Sequence, residues 1–325
     1  MIRNRRRALA CIVGIALAAL AGSALAQQFP TKPIRFLVGF APGGSTDILA
    51  RLVADQMTRT WGQQVVVDNR GGAAGLIAAD LTAKAEPDGH TLLMAISNHV
   101  IAPSVYAKIP YDTINDFAPV SLVGTSPFMV LANAGLPAKN LQEFIALAKS
   151  KPGQLNFATP GVGSIQHLSN ELLNTMAEIR MVHVPYKGGV PALTDTIAGI
   201  TAVTFITPAQ GLPQVKAGKV KAFGISSASR SPLLPDVPTL AESGVPGFEA
   251  TVWFGVLTQA RTPRPIINKL HAEIARMLAT PEMRERMAQL GIDVVGGSPE
   301  QLGETMREDL KKWSAVAKQA GVKPE

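Results

Sequence analysis

The chain has 325 residues, 46% of them hydrophobic, with 31 Lys and Arg against 24 Asp and Glu. That length exceeds what one compact core usually takes, so two domains are expected. No Lys/Arg-rich run with interleaved aromatics lies beyond the first residues, which excludes nucleic acid as a partner.

Arg3, Arg5, Arg6 and Arg7 precede an apolar stretch from Ala8 to Leu20, and Ala24-Leu25-Ala26 supplies small residues for cleavage. This order reads as an export signal over residues 1–26, cleaved after Ala26, with an apolar part too short for an ordinary transmembrane helix. Three consecutive arginines also fit twin-arginine export, although the usual flanking residues are missing. The signal removes four basic residues and Cys11, the only cysteine. The mature chain is nearly balanced in charge and has neither disulfide nor thiol chemistry. No later segment is apolar for long enough to span a bilayer, so a soluble exported product is expected.

Pro33 to Phe40 reads as a buried strand, and Thr46 to Trp61 as a helix with Ile48, Leu49, Leu52, Val53 and Met57 on one face and Gly62 closing it. Gln64 to Asp68 reads as a strand, Gly75 to Lys84 as a helix and Thr91 to Ala95 as a third strand. Strand, helix, strand, helix, strand with short connections implies right-handed crossovers and a parallel sheet. Beyond the prolines 103, 110 and 119 the pattern restarts. Strands are expected at 128–131, 155–158, 182–184, 202–206 and 221–225, with helices at 141–149, 164–179 and 191–198. The loop from Pro232 to Pro238 leads to a strand at 252–257, with helices beyond it at 266–279, 281–289 and 299–320. Two α/β lobes joined by ordered crossings near 120–126 and 225–255 are expected.

Three strand-to-helix junctions share one logic: Phe40-Ala41-Pro42-Gly43-Gly44-Ser45-Thr46-Asp47, Ala158-Thr159-Pro160-Gly161-Val162-Gly163-Ser164, and Val184-Pro185-Tyr186-Lys187-Gly188-Gly189-Val190-Pro191. Glycines let the backbone approach a guest, and the helix just beyond offers unbonded N–H groups and partial positive charge, which suit a carboxylate or phosphate. Each junction alone also reads as a tight turn with a cap, Ser45, Thr46 or Ser164 serving as N-cap. Three of them in two lobes favour a shared cleft at the carboxyl ends of the strands. His167, in the first turn of its helix, either donates to a cleft ligand as a neutral imidazole or packs there. Asn98 and His99 are open to the same two readings. Asp47 either receives a ligand ammonium or partners the helix dipole.

Enzymatic patterns are missing. There is no phosphate loop, no nucleophile elbow and no zinc helix, and the five histidines lack metal-ligand spacing. A hydrolase using Ser45 or Ser164 would need a base and an orienting acid that cannot be assigned.

The runs FAPGGSTDILARLVADQM, VVVDNRGGAAGLIAADLTAKAEPDGHTLLMA, YDTINDFAPVSLVG, FATPGVGSIQHLSNELL, VHVPYKGGVPALTDTIAG and SPLLPDVPTLAESGVPGFEA, in this order, resemble the Bug (TctC-like) receptors of tripartite tricarboxylate transporters. The resemblance covers essentially the whole chain after the signal. It implies a periplasmic solute-binding protein, monomeric, of the two-lobed type II or Venus flytrap fold, each lobe a mainly parallel sheet flanked by helices. Residues 27–125 and 226–325 would form one lobe and residues 126–225 the other. A small organic acid would be held between the lobes and passed to membrane transporter subunits, with no catalysis, cofactor or metal. Carried onto this sequence, the first jaw is Ala41 to Asp47, including Gly43 and Gly44, with Ser45 and Thr46 as hydroxyl donors. The second is Thr159, Gly161, Gly163, Ser164 and His167, with Asn98 and Thr207 lining the gap. Many relatives carry aspartate at the places of Ala202 and Ile206, so a carboxylate with an apolar or aromatic remainder is expected rather than an amino acid. A ligand sensor feeding a signalling receptor shares this fold, and an exported serine hydrolase is the other alternative.

Overall fold

The computed structural model describes residues 29–231 and 234–322. The expected signal with its cleavage site, and Pro232 and Leu233 of the expected loop, lie outside the described residues. Among the described residues no helix is long and apolar enough to cross a membrane.

Strand β1 (Ile34–Val38) is almost entirely buried and pairs in parallel with β2 (Val65–Asn69) on one side and β3 (Thr91–Ile96) on the other. The helix between β1 and β2, α1 (Ser45–Trp61), buries Leu49, Val53 and Met57 against the sheet. Each such side chain contributes about 2 kcal/mol of burial. Gly62 closes the helix in the left-handed conformation at φ 67°, which a side chain would resist. Helix α2 (Leu76–Ala83) makes the second crossover.

Two elements depart from the expected order. The exit of β3 forms a helix, α3 (Asn98–Val105), rather than a loop. Pro103 sits inside it, and the missing bond back to the preceding turn is tolerated in so short a helix. Residues 120–126, expected as a crossing, lie inside the longest strand, β4 (Phe117–Pro127). Its prolines mislead only from sequence: β11 (Asp293–Gly297) pairs with residues 122–125 of β4, so Pro119 has no neighbour on that side to bond. The chain then passes into β5 (Met129–Asn133) with Phe128 alone between the strands.

Helix α4 (Leu141–Ser150), β6 (Asn156–Thr159), α5 (Ile165–Met176), β7 (Val182–Pro185), α6 (Gly189–Ile197), β8 (Val203–Ile206), α7 (Pro208–Lys216) and β9 (Val220–Ile225) complete a second sheet in the order β7-β6-β8-β5-β9. The chain returns to the first sheet through β10 (Thr251–Gln259), then α8 (Arg264–Leu278), α9 (Pro281–Gln289), β11 and α10 (Pro299–Gln319). The first sheet therefore reads β11-β4-β10-β3-β1-β2. Neither α7, with two prolines, nor the short β11, with two glycines, carries a clear periodic signal.

The molecule is a two-lobed α/β protein, but its sheets are mixed rather than mainly parallel. Strand β10 runs antiparallel to both β3 and β4, and β5 runs antiparallel to β8 and β9. The reason lies at the crossing. β4 ends and β10 begins there, as β9 ends and β5 begins, so each neighbouring pair must run in opposite directions. The crossing is tied together: Phe128 N donates to Ser226 Oγ at 2.7 Å, and Ala250 N to Ser226 O at 2.9 Å.

Candidate functional site

A cleft of about 840 Å³ opens between the lobes. Its first wall consists of the loop after β1, from Gly39 to Pro42 and Gly44 to Thr46, the segment Gly71 to Ala74, and Asn98 at the start of α3. The opposite wall consists of Pro160 to Val162 with Ser164, the run Tyr186 to Pro191, and Thr207 with Gln210. Phe40, Ile96, Tyr106, Val252 and Phe254 make much of the surface apolar. Among the described residues no Asp or Glu lines it, and Lys187 is the single charged lining residue.

Of the residues anticipated from sequence, Ala41, Gly44, Ser45, Thr46, Asn98, Gly161, Ser164 and Thr207 line this cleft. Helices α1 and α6 enter it behind the glycine N-caps Gly44 and Gly188, and no side chain caps either end. The leading N–H groups of both helices are thus left for a guest. α7 begins behind Thr207, whose hydroxyl is turned elsewhere. It meets Ser45 Oγ across the cleft at 2.9 Å. A second bond joins the lobes where Ile165 N donates to Asn98 Oδ1 at 3.1 Å.

Five anticipated residues do not line it. Asp47 turns back beneath its own loop, where its carboxylate accepts from Gly43 N at 2.9 Å, Asn69 Nδ2 at 2.9 Å and Arg51 Nε at 3.0 Å. Burial would raise the Asp47 pKa, but these bonds outweigh it and hold the group below its ordinary value. It therefore braces the loop instead of meeting an ammonium. Gly43, at φ 85°, has its N–H spent on that carboxylate. Thr159 is fully buried, exchanging hydrogen bonds with Gly161 N and O and meeting His183 Nε2 at 2.6 Å. Gly163, at φ 71°, packs on Val105 with no room for a Cβ. His167 is buried and stacked on His183, with ring centroids 3.8 Å apart, while its Nδ1 accepts from Gly163 N at 3.3 Å. Burial lowers the His167 pKa to about 4, so the ring is neutral near pH 7. His99 also turns inward, onto Thr113 O at 2.9 Å and the face of Tyr111.

Ile206 points into the second lobe's core with Met129, Leu131, Leu193 and Val220. Its apolar character therefore supports the wall under Gly189 and Gly211 and does not itself meet the guest. The case against an amino acid rests instead on the acid-free lining.

Sequence reasoning left several contributors out of the site, among them Tyr106, Gln210, Lys187, the segment Gly71 to Ala74, Val252 and Phe254. Lys187 and its neighbours stand in a junction already recognised as guest-facing, so their signal was present. Gly71 and Gly72 read only as the end of a turn from Asn69, yet Gly72, Ala73, Ala74 and Gly75 all have positive φ, two of them alanines at 45° and 53°. Such a run costs about 1–2 kcal/mol per non-glycine residue. It is held by close backbone contact, a Cβ on Gly39 falling 2.6 Å from Gly75 Cα. Val252 and Phe254 lie in an ordinary buried strand, and nothing in their spacing marks them.

The family model described as the tripartite tricarboxylate transporter family receptor, TctC, matches residues 49–322. Protein BugT of Bordetella pertussis (strain Tohama I) is 38% identical over 325 residues, covering 98% of this chain and 99% of BugT. Among solved structures, Rpa4515 of R. palustris with adipate superposes at a TM-score of 0.87 with 34% identity, covering 91% of this chain and 100% of that one. MatC from Rhodopseudomonas palustris with bound malate superposes at 0.83 with 36% identity, covering 89% and 100%. The fold is that of the two-lobed periplasmic binding proteins. With its match running from the first helix to the last, the chain belongs to the tripartite tricarboxylate transporter receptor family.

Proposed function

We propose that this protein is a periplasmic receptor that holds a small organic carboxylate between its lobes and delivers it, as a monomer, to the membrane subunits of a tripartite transporter. The observation that carries the reading is the cleft lining: uncapped helix N-termini from both lobes, the Ser45–Thr207 hydroxyl pair with one O–H to spare, one ammonium at Lys187, and no acid among the described residues. Such a lining offers donors and positive charge to a carboxylate and nothing to neutralise a ligand ammonium. Phe40, Tyr106 and Phe254 suit an apolar remainder. The bound adipate and malate of the two similar structures are acids of this class. The N-terminal signal pattern supports export.

A binding role also fits the serines. Ser45 Oγ is engaged with Thr207, and Ser164 Oγ donates to Gly161 O at 2.8 Å while accepting from His167 N. His167, whose backbone N–H bonds Ser164 Oγ, presents its ring Nδ1 to the backbone N–H of Gly163 and not to that hydroxyl. Neither hydroxyl has a base positioned to activate it.

The test is thermal unfolding of protein stripped of copurified ligand by unfolding and refolding, with adipate, malate, benzoate, succinate, glutarate, aspartate and glutamate added in turn. A true ligand at about a hundred times its Kd adds roughly 2.7 kcal/mol. The carboxylates without an ammonium should raise Tm and the amino acids should not. A larger shift with aspartate or glutamate than with succinate or glutarate would reject the ligand class, and no shift with any acid would reject the receptor reading. Capture of the transporter's membrane subunits by the ligand-loaded form tests delivery.

A further inference from the structure

Behind the second wall, and outside the cleft lining, lies a polar pair that the binding role does not use, His167 buried and His183 half-buried. Phe157 on β6, His183 on β7 and His167 on α5 form one stack, with His183 5.0 Å from Phe157 and 3.8 Å from His167 and interplanar angles of 17° and 13°. Both imidazoles make their hydrogen bonds to one loop, from opposite ends. His183 Nε2 meets Thr159 Oγ1, the hydroxyl that exchanges bonds with Gly161 N and O. His167 Nδ1 accepts from Gly163 N. Between these anchors, Gly161 and Val162 face the cleft. Gly161 at φ 149° and Gly163 at φ 71° leave this loop without an intrinsic preference for its shape.

We propose that His167 and His183 are positioning residues: as a neutral stacked pair they hold the Gly161–Gly163 loop in the shape that presents its backbone to the cleft, and protonation releases it. The functional meaning rests on the cleft reading above, whereas the loop geometry does not. Nδ1 of His167 serves only while it carries no proton; a proton there sets N–H against N–H. A charged ring in the first turn of α5 also opposes the helix dipole. Two charged rings at 3.8 Å would repel through a poorly solvated space.

The ionisable groups facing the pair are the two imidazoles themselves and Glu171 on α5, whose Oε1 lies 3.8 Å from His167 Nε2. β6 contributes Phe157 and Thr159, and α3 contributes Val105 and Asn98 near the loop, none of them titrating. No charged group of α10, which packs on α5, shifts either ring. Burial lowers His167 from 6.5 to about 4, and burial with the His167 neighbour lowers His183 to about 3. Burial raises the Glu171 pKa above its ordinary value, so Glu171 gains a proton early on acidification and gives little charge to stabilise an imidazolium. The released loop regains ordinary histidine behaviour. The neutral pair therefore supports the loop fully above about pH 6.5, and the support is lost progressively as pH falls toward 4.

The experiment is amide hydrogen exchange of residues 160–165 in ligand-free protein, expressed as protection relative to the free peptide, at about pH 7.5 and about pH 4.5. His167→Asn with His183→Gln replaces both rings by amides that can still bond to Gly163 N and Thr159 Oγ1 but do not titrate. Wild-type protection of this loop should fall about tenfold on acidification while the amide pair stays within about twofold, with strands β1 and β3 unchanged in both. His167→Ala with His183→Ala should lose about tenfold already at pH 7.5. Acid loss in the amide pair equal to that of wild type overturns the proposal, as does alanine-pair protection equal to wild type at neutral pH. Should the alanine pair fail to fold, the acid profile of the amide pair decides alone. No ligand enters the measurement, so a failed ligand screen and a failed proposal are separate outcomes.

Discussion

On the first wall of the cleft, the loop from Phe40 to Gly43 is pinned by an ionised carboxylate: Asp47 gathers Gly43 N, Asn69 and Arg51, and Asn69 passes the hold on to Phe40 O at 3.0 Å. On the second wall, the loop from Gly161 to Gly163 is pinned by uncharged groups, Thr159 and two imidazoles. The walls do similar work with different tolerance. The carboxylate hold persists above the ordinary Asp value of 3.8 and is lost only as pH falls through a still lower pKa. The imidazole hold begins to fail below 6.5. Acid should therefore loosen the second wall while the first is intact.

Substitutions can break this comparison, and the largest effect is expected at Gly163. Gly163→Ala places a Cβ into Val105 and forces a left-handed residue, costing about 3 kcal/mol in denaturant unfolding. Adding Val105→Ala should not restore the whole of this, because the backbone part, about 1 kcal/mol, remains. Full recovery would show that sterics alone shape the second wall. On the first wall, Asp47→Asn removes the ion-pair partner of Arg51, which keeps its bond to Asn69, and sets an amide against one of three donors. A loss of about 2 kcal/mol is expected, with stability less sensitive to acid below the ordinary Asp value of 3.8 than in wild type. A cost near zero would mean that the loop after β1 holds itself.

Smaller effects should come from the bonds between the walls. Asn98→Ala strips the buried Ile165 N–H of its acceptor and should cost about 1–2 kcal/mol in thermal unfolding. Ser45→Ala removes only the hydroxyl contact with Thr207 at a part-buried edge. About 0.5–1 kcal/mol is expected, with a wider lobe separation visible by small-angle scattering. If Ser45→Ala costs more than Asn98→Ala, the lobes are held at the mouth of the cleft and not at its base.

The sequence made the alternation of strands and helices legible wherever one face was apolar, as in α1, where Leu49, Val53 and Met57 recur at helical spacing. It concealed elements whose punctuation misleads. Pro103 hid α3, and Pro119 made the interior of β4 resemble a linker, because a stretch of strand paired on one side alone, here with β10, tolerates a proline that a stretch paired on both would not. At the site, glycines before helices pointed to the right junctions, since backbone approach and free N–H groups depend on local sequence. The direction of a side chain does not. Asp47 and His167 stand at guest-facing spacing, yet each turns inward to hold its own loop, a choice set by Arg51 and Asn69 in one case and by His183 in the other.

The order of strands in the two sheets has a consequence for how the chain acquires its structure. Residues 129–225 supply every strand of the second sheet, so that half can assemble from contiguous sequence. In the first sheet, β3 and β4 are separated by β10, so the sheet remains two fragments until residues 251–259 return to join them. Closing so long a loop is slow relative to pairing within the second sheet. The expected sequence of events is a second lobe folded early and a first lobe completed late, with the cleft the last feature to form.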